Sequence, residues 1–152
     1  MDVHYLEDFA PGQRYISQRL RIDADQIKAF AAQFDPQPFH LDEVAAEKTF
    51  FRGLAASGWH TAALTMKLLV GSDVRPAGGL IGAGFESFNW PRPVRPGDEL
   101  YIECEVLEVL PSRSRPGQGI VRVRITTFNQ NAEPVQDGIC KMLVFGRKAP
   151  QA

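Results

Sequence analysis

"GWHTAALTMKLLVGS", residues 58–72, is the stretch that decides the fold. It is long enough for a helix and apolar on nearly every side, with Lys67 its only full charge. A helix with that pattern belongs inside a fold rather than on its surface. Ser57-Gly58 marks its expected start and Gly71 its stop. The remaining sequence must therefore supply a wrapping.

That wrapping is strand. After residue 80 come "LIGAGFESFNW" (80–90), "ELYIECEVLEVL" (99–110), "IVRVRITTFNQ" (120–130) and "VQDGICKMLVF" (135–145). Each is bounded by turn chemistry such as "RPGD", "SRPGQG" or "NQNAEP". In "IVRVRIT" the side chains of Val121, Val123 and Ile125 fall on one face and those of Arg122 and Arg124 on the other, the mark of an antiparallel sheet with one dry face. "RYISQRLRI" (14–22) also alternates, placing Ile16, Leu20 and Ile22 together. About five antiparallel strands around one long apolar helix make an α+β design.

Between residues 23 and 50 the period changes. In "DADQIKAFAAQFD" Asp23 caps a helix, Gln26 completes a capping box, and Ile27, Phe30, Ala31 and Phe34 form its buried face. Pro36 and Pro38 forbid continuation past Asp35, and a short helix restarts with Asp42 as N-cap over "EVAAEKTF". The break leaves Asp35 and His40 five residues apart on a loop. An Asx-turn and a loop histidine would account for them structurally. The alternative is acid–base chemistry, because Gly58 opens the apolar helix downstream. There, free backbone N–H groups and the helix dipole favour a developing oxyanion. An acid, a base and an oxyanion hole suffice to add water beside a thioester carbonyl.

Composition narrows the alternatives. At 152 residues, 44% hydrophobic and 23% charged, the chain is sized for one domain with its own core. A net charge of −1 gives no field toward nucleic acid or an anionic membrane. No apolar run reaches the roughly 18 residues of a membrane span, and "MDVHYLEDFAPGQRY" lacks a signal-peptide core, so a cytoplasmic protein is expected. Cys104 and Cys140 sit in apolar alternation and read as buried thiols. His4, His40 and His60 come without HExxH or paired cysteines, so no metal site is expected. "GGLIGAG" (78–84) has neither dinucleotide nor P-loop spacing and reads as a strand packed closely on the helix.

"FDPQPFHLDEVAAEKTFFRGLAASGWHT" (34–61) resembles the hydratase motif of MaoC-like (R)-specific enoyl-CoA hydratases and dehydratases. Asp35, Pro38, His40, Asp42, Ala46, Phe51 and Gly58 fall in register, and "PRPVRPGDEL" (91–100) is similar to the family's "PV.PGD.L". The resemblance implies a single hot-dog domain over 1–148, with 149–152 a tail. It implies reversible hydration of a trans-2-enoyl-CoA to an (R)-3-hydroxyacyl-CoA. Asp35 and His40 would activate the water, and the Gly58 N–H would bind the thioester oxygen. Coenzyme A arrives as part of the substrate and no other cofactor is implied. A homodimer is implied, with the site at the junction of two sheets. Gln37, Phe51, Ser57, Trp59, His60 and Met66 become candidate substrate-binding residues. Of these, Gln37, Trp59, His60 and Met66 depart from the family's usual residues and bear on the shape of the acyl pocket. Among Arg92, Arg95, Arg113 and Arg115 a partner for the coenzyme A phosphates is expected, although each also suits a solvated turn. A hot-dog thioesterase and a non-catalytic acyl-CoA-binding domain share the fold and stand as alternatives.

Overall fold

Alternating runs of β-branched and aromatic residues build the larger layer of the fold, and the computed structural model describes residues 2–148 of it. The strands are β1 (Arg14–Ile16), β2 (Leu20–Arg21), β3 (Ile81–Asn89), β4 (Glu99–Pro111), β5 (Gln118–Phe128) and β6 (Pro134–Phe145). They form one antiparallel sheet in the order β1-β4-β5-β6-β3, with β2 also pairing β4. The helices are α1 (Ala24–Phe34), α2 (Pro38–Leu41), α3 (Glu43–Glu47) and α4 (Gly58–Val70). This is the hot-dog arrangement, a sheet wrapped around the α4 helix.

The dry face of the sheet is the one that alternation predicts. Ile102, Cys104, Val106, Val121, Val123, Met142 and Val144 are buried and close over Leu68 and Leu69 of α4. Each such aliphatic side chain contributes about 1.5–3 kcal/mol relative to exposure. On the opposite face Arg122 pairs with Glu86 at 2.8 Å, and Arg124 lies 3.8 Å from Asp137. Both cysteines are buried free thiols, and burial pushes the Cys104 pKa up to about 12.

Four local expectations are corrected. "RYISQRLRI" is two short strands, because Ile102 N–H donates to the Ser17 hydroxyl (2.9 Å) while Ser17 N–H donates to Ile102 O (3.0 Å). A side chain thus takes a ladder position, and the face pattern slips across Ser17–Arg19. Ile16 is left 67% exposed while Ile22 is buried. In α1 the capping box of Asp23 and Gln26 forms, and Ile27 and Ala31 are buried, but Phe34 at the helix end lies in solvent. The glycines of β3 are not there for close packing, since a Cβ on Gly82 or Gly84 would meet nothing within 4 Å. Gly84 has φ 137° beside a register shift in the β3–β6 pairing, a bulge that its backbone freedom permits.

The fourth correction concerns α4 itself. Within one chain it is buried along Thr61, Thr65, Leu68 and Leu69, while Trp59, Ala63, Met66 and Val70 form an exposed stripe. Beside that stripe runs β3, the edge strand, whose Ile81 and Phe85 are also exposed. The sheet covers α4 from one side, and the apolar sequence of the helix exceeds what a single chain buries. The tail expected at 149–152 lies outside the described residues. Among the described residues, no helix is long and apolar enough to cross a membrane.

Candidate active site

Asp35 is the C-cap of α1, its N–H returning to Ala31 O at 2.9 Å. The two prolines that stop the helix do not leave an irregular loop. Pro38 occupies the first turn of α2, where its missing N–H costs nothing, and His40 rides on that turn rather than on a loop. Asp42 then caps α3 through Ala45 N–H at 2.8 Å. This turn folds His40 back toward Asp35 and buries its ring, with Phe39 edge-on at 4.6 Å.

The extended segment before α4 locks the pair. Ala55 N–H donates to Phe39 O (3.0 Å) and Ala56 N–H to Val94 O (2.9 Å). Ala55 O in turn lies 2.6 Å from His40 Nδ1. A carbonyl accepts only, so Nδ1 carries a proton and Nε2 is the nitrogen that faces the cavity. Nε2 lies 3.3 Å from Asp35 Oδ2. Ser57, fully buried as N-cap of α4, donates its hydroxyl to the same Oδ2 at 2.7 Å. Gln37 donates its amide to Oδ1. Burial alone would push the Asp35 carboxyl up. The hydrogen bonds from Ser57 and Gln37 and the neighbouring imidazole outweigh it, so its pKa lies below the ordinary carboxylate value.

Arg95 clamps the preceding turn. Its guanidinium donates to Leu54 O at 3.2 Å and to Phe51 O, while its own N–H donates to Asp98 Oδ2 at 2.8 Å. The side chain is therefore engaged with carbonyls and not free for a phosphate. Arg113 and Arg115 lie in the β4–β5 turn, away from the cavity, and of the four arginines only Arg92 lines it.

The cavity, about 490 Å³, is lined by Asp35, Gln37, His40, Phe51, Gly58 and Trp59 among others. The Gly58 N–H, in the first turn of α4, finds no acceptor among the described residues. Six of the nine residues singled out from sequence thus line one space, and Ser57 supports it from beneath. His60 does not line it. Its ring is stacked on Phe30 at 4.5 Å, where burial lowers its pKa. Met66 lines a second, largely apolar cavity of about 380 Å³. Sequence reasoning missed Trp90, whose ring lies over Gly58 so closely that a Cβ there would sit 2.6 Å from it. The available signal was an aromatic one residue past the end of β3, immediately before "PRP".

The family model for the MaoC like domain matches residues 8–129, spanning Asp35, His40 and Gly58 together. The chain belongs to the MaoC-like domain family. A crystal structure of the MaoC-like dehydratase from Rhodospirillum rubrum superposes with a TM-score of 0.92 at 55% identity, covering 97% of this chain and 99% of that one. The YdeM protein of Bacillus subtilis, uncharacterized, is 35% identical over 91% of this chain and 97% of its own length. The 3-hydroxybutyryl-CoA dehydratase of Methylorubrum extorquens is 32% identical over 74% of this chain and 70% of its own. Membership in the MaoC-like family supports a hydratase or dehydratase activity in broad terms.

Proposed function

We propose that this MaoC-like protein adds water reversibly across the double bond of a trans-2-enoyl-CoA, giving an (R)-3-hydroxyacyl-CoA. The observation that carries the reading is one cavity presenting the Asp35 carboxylate, His40 Nε2 and the Gly58 N–H. Similarity to a 3-hydroxybutyryl-CoA dehydratase supports the thioester class.

The water sits between Asp35 and His40 Nε2. Its oxygen bonds to C3 while one proton passes to Nε2, and the double-bond electrons move through C2 onto the thioester oxygen. The Gly58 N–H holds that oxygen as enolate charge develops, a contact worth roughly 2.7–4 kcal/mol in comparable oxyanion holes. Nε2 then returns its proton to C2. Asp35 remains ionised throughout, orienting the water and balancing the imidazolium. Ala55 O keeps the ring from turning its other nitrogen to the substrate. Arg92, which lines the cavity and also pairs with Glu133 at 3.4 Å on the exposed surface, is the cation we assign to the coenzyme A phosphates.

The exposed stripe on α4 and the open edge at β3 support a homodimer joined along that side. Sedimentation of an active monomer would contradict the dimer. Hydration is tested by incubating the protein with crotonyl-CoA and resolving the products. The expected product is 3-hydroxybutyryl-CoA with its thioester intact. Free coenzyme A without hydration would instead mark a thioesterase, and no turnover a binding domain.

A further inference from the structure

The two cavities lie side by side and share only Trp59. Trp90 stands at the boundary between them. It faces the Asp35–His40 cavity, and its ring meets Trp59 edge-on at 5.2 Å and Phe88, which lines the second cavity, at 5.0 Å. Its ring is seated on Gly58, where three ring atoms fall within 2.7 Å of the place a Cβ would take.

The ring is also tethered. Trp90 Nε1–H donates to Gln136 Oε1 at 3.0 Å, and Gln136 Nε2 donates to Thr65 Oγ1 at 3.2 Å. Thr65 and Thr127 hydroxyls lie 2.6 Å apart, closing a buried polar chain between α4 and the sheet. Gln136 is only 4% exposed. Releasing Trp90 would leave the Gln136 amide oxygen without its partner, and an unpaired buried polar atom is costly. The buried amide thereby holds Trp90 through its oxygen and Thr65 through its nitrogen.

We infer that Trp90, held by Gln136, is the partition that limits the acyl chain, so that the site takes short enoyl thioesters and excludes longer ones from the apolar cavity beyond. This rests on the hydratase reading above and specifies its substrate. The second cavity, lined by Leu69, Phe85, Ile125 and Cys140, has in one protomer the volume and character for several further methylenes, and its Trp59, Met66 and Phe85 side borders the face given above to the dimer. With Trp90 seated, a chain entering past Gly58 meets the indole instead. Each additional methylene that finds a pocket is worth roughly tenfold or more in selectivity, so closing the pocket separates substrates sharply.

The test compares kcat/KM for crotonyl-CoA and trans-2-octenoyl-CoA in the wild type, Trp90→Ala and Gln136→Leu. Wild type is expected to favour crotonyl-CoA by about a hundredfold or more. Trp90→Ala raises the octenoyl-to-crotonyl ratio at least tenfold, and Gln136→Leu moves it the same way by less. A gain on the longer substrate is not an outcome of misfolding, and Trp90→Phe, which keeps a ring without Nε1, separates the wall from its tether. Equal wild-type use of both substrates overturns the inference, as does a ratio unmoved in Trp90→Ala and Gln136→Leu while crotonyl-CoA is still hydrated. No hydration of either substrate by the wild type would instead overturn the hydratase reading, and the inference with it.

Discussion

The Ser57 hydroxyl donates to Asp35 Oδ2 at 2.7 Å, joining the N-cap of α4 to the C-cap of α1. The residue that starts the central helix thereby holds the carboxylate of the candidate site. Ser57→Ala is expected to lower stability by about 1 kcal/mol through the lost cap, read as a lower Tm. It is also expected to reduce kcat by about tenfold, since hydrogen bonds to charged groups contribute about 1.5–3 kcal/mol.

The same contact sets a pH dependence. The folded Asp35 carboxyl is depressed, so it adds stability above the ordinary carboxylate pKa of 3.8, and that contribution is lost as pH falls through the folded value. Without Ser57 the depression is smaller. The stability gap between wild type and Ser57→Ala should therefore be wider at pH 7 than in the acid range, and the acidic limb of the activity profile should move to higher pH. A profile displaced toward lower pH would contradict the role given to the serine.

Arg95 is a positioning residue, since it touches carbonyls of the turn before α4 and not the cavity pair. Arg95→Lys loses the two-pronged contact with Phe51 O and Leu54 O, which a single ammonium does not reproduce. We expect kcat to fall while KM changes little, because the Ala55 carbonyl that orients His40 follows directly. Urea unfolding should show a loss of about 1–3 kcal/mol. A change confined to KM would point to direct substrate contact instead.

Gly58→Ala places a methyl against the Trp90 ring. Overpacking of this kind costs about 1–3 kcal/mol and forces either the indole or the first turn of α4 to move. Activity should fall at least a hundredfold, consistent with the loss of one oxyanion contact. Trp90→Ala in the same chain should recover much of the stability.

The thiols provide a check on the core. With Cys104 pushed up to about 12 and Cys140 also raised by burial, neither forms thiolate near neutral pH. Iodoacetamide should leave the folded protein unmodified at pH 8 and label two thiols in urea. Rapid labelling of Cys104 in the native protein would show that the sheet opens at β4.

The sheet was legible because alternation in "IVRVRIT" depends only on which face is dry, and that face is set by residues within one strand. "RYISQRLRI" misled because Ser17 substitutes its hydroxyl for a backbone acceptor, an exchange that a hydrophobic pattern does not record. Asp35, His40 and Gly58 were legible as a motif. Their geometry was not, since it depends on Ala55 O and Ser57, small residues whose contribution is position rather than chemistry. His60 and Met66 sit on the same helix as Gly58, and the sequence alone groups them with it in one pocket. A helix turns successive residues to different sides, so one stacks on Phe30 and the other lines the second cavity. Trp90 was hidden because its partners, Gly58 and Gln136, are distant in sequence.

Asp35 and His40 are proposed to activate one water together. The direct measurement is the steady-state hydration of crotonyl-CoA by wild type, Asp35→Asn, His40→Ala and the double variant, each shown folded by its thermal transition. Each single variant is expected to lose at least a thousandfold in kcat, and the double variant to be scarcely worse than either, because the two side chains act as a unit. Wild-type turnover in Asp35→Asn or His40→Ala would contradict it.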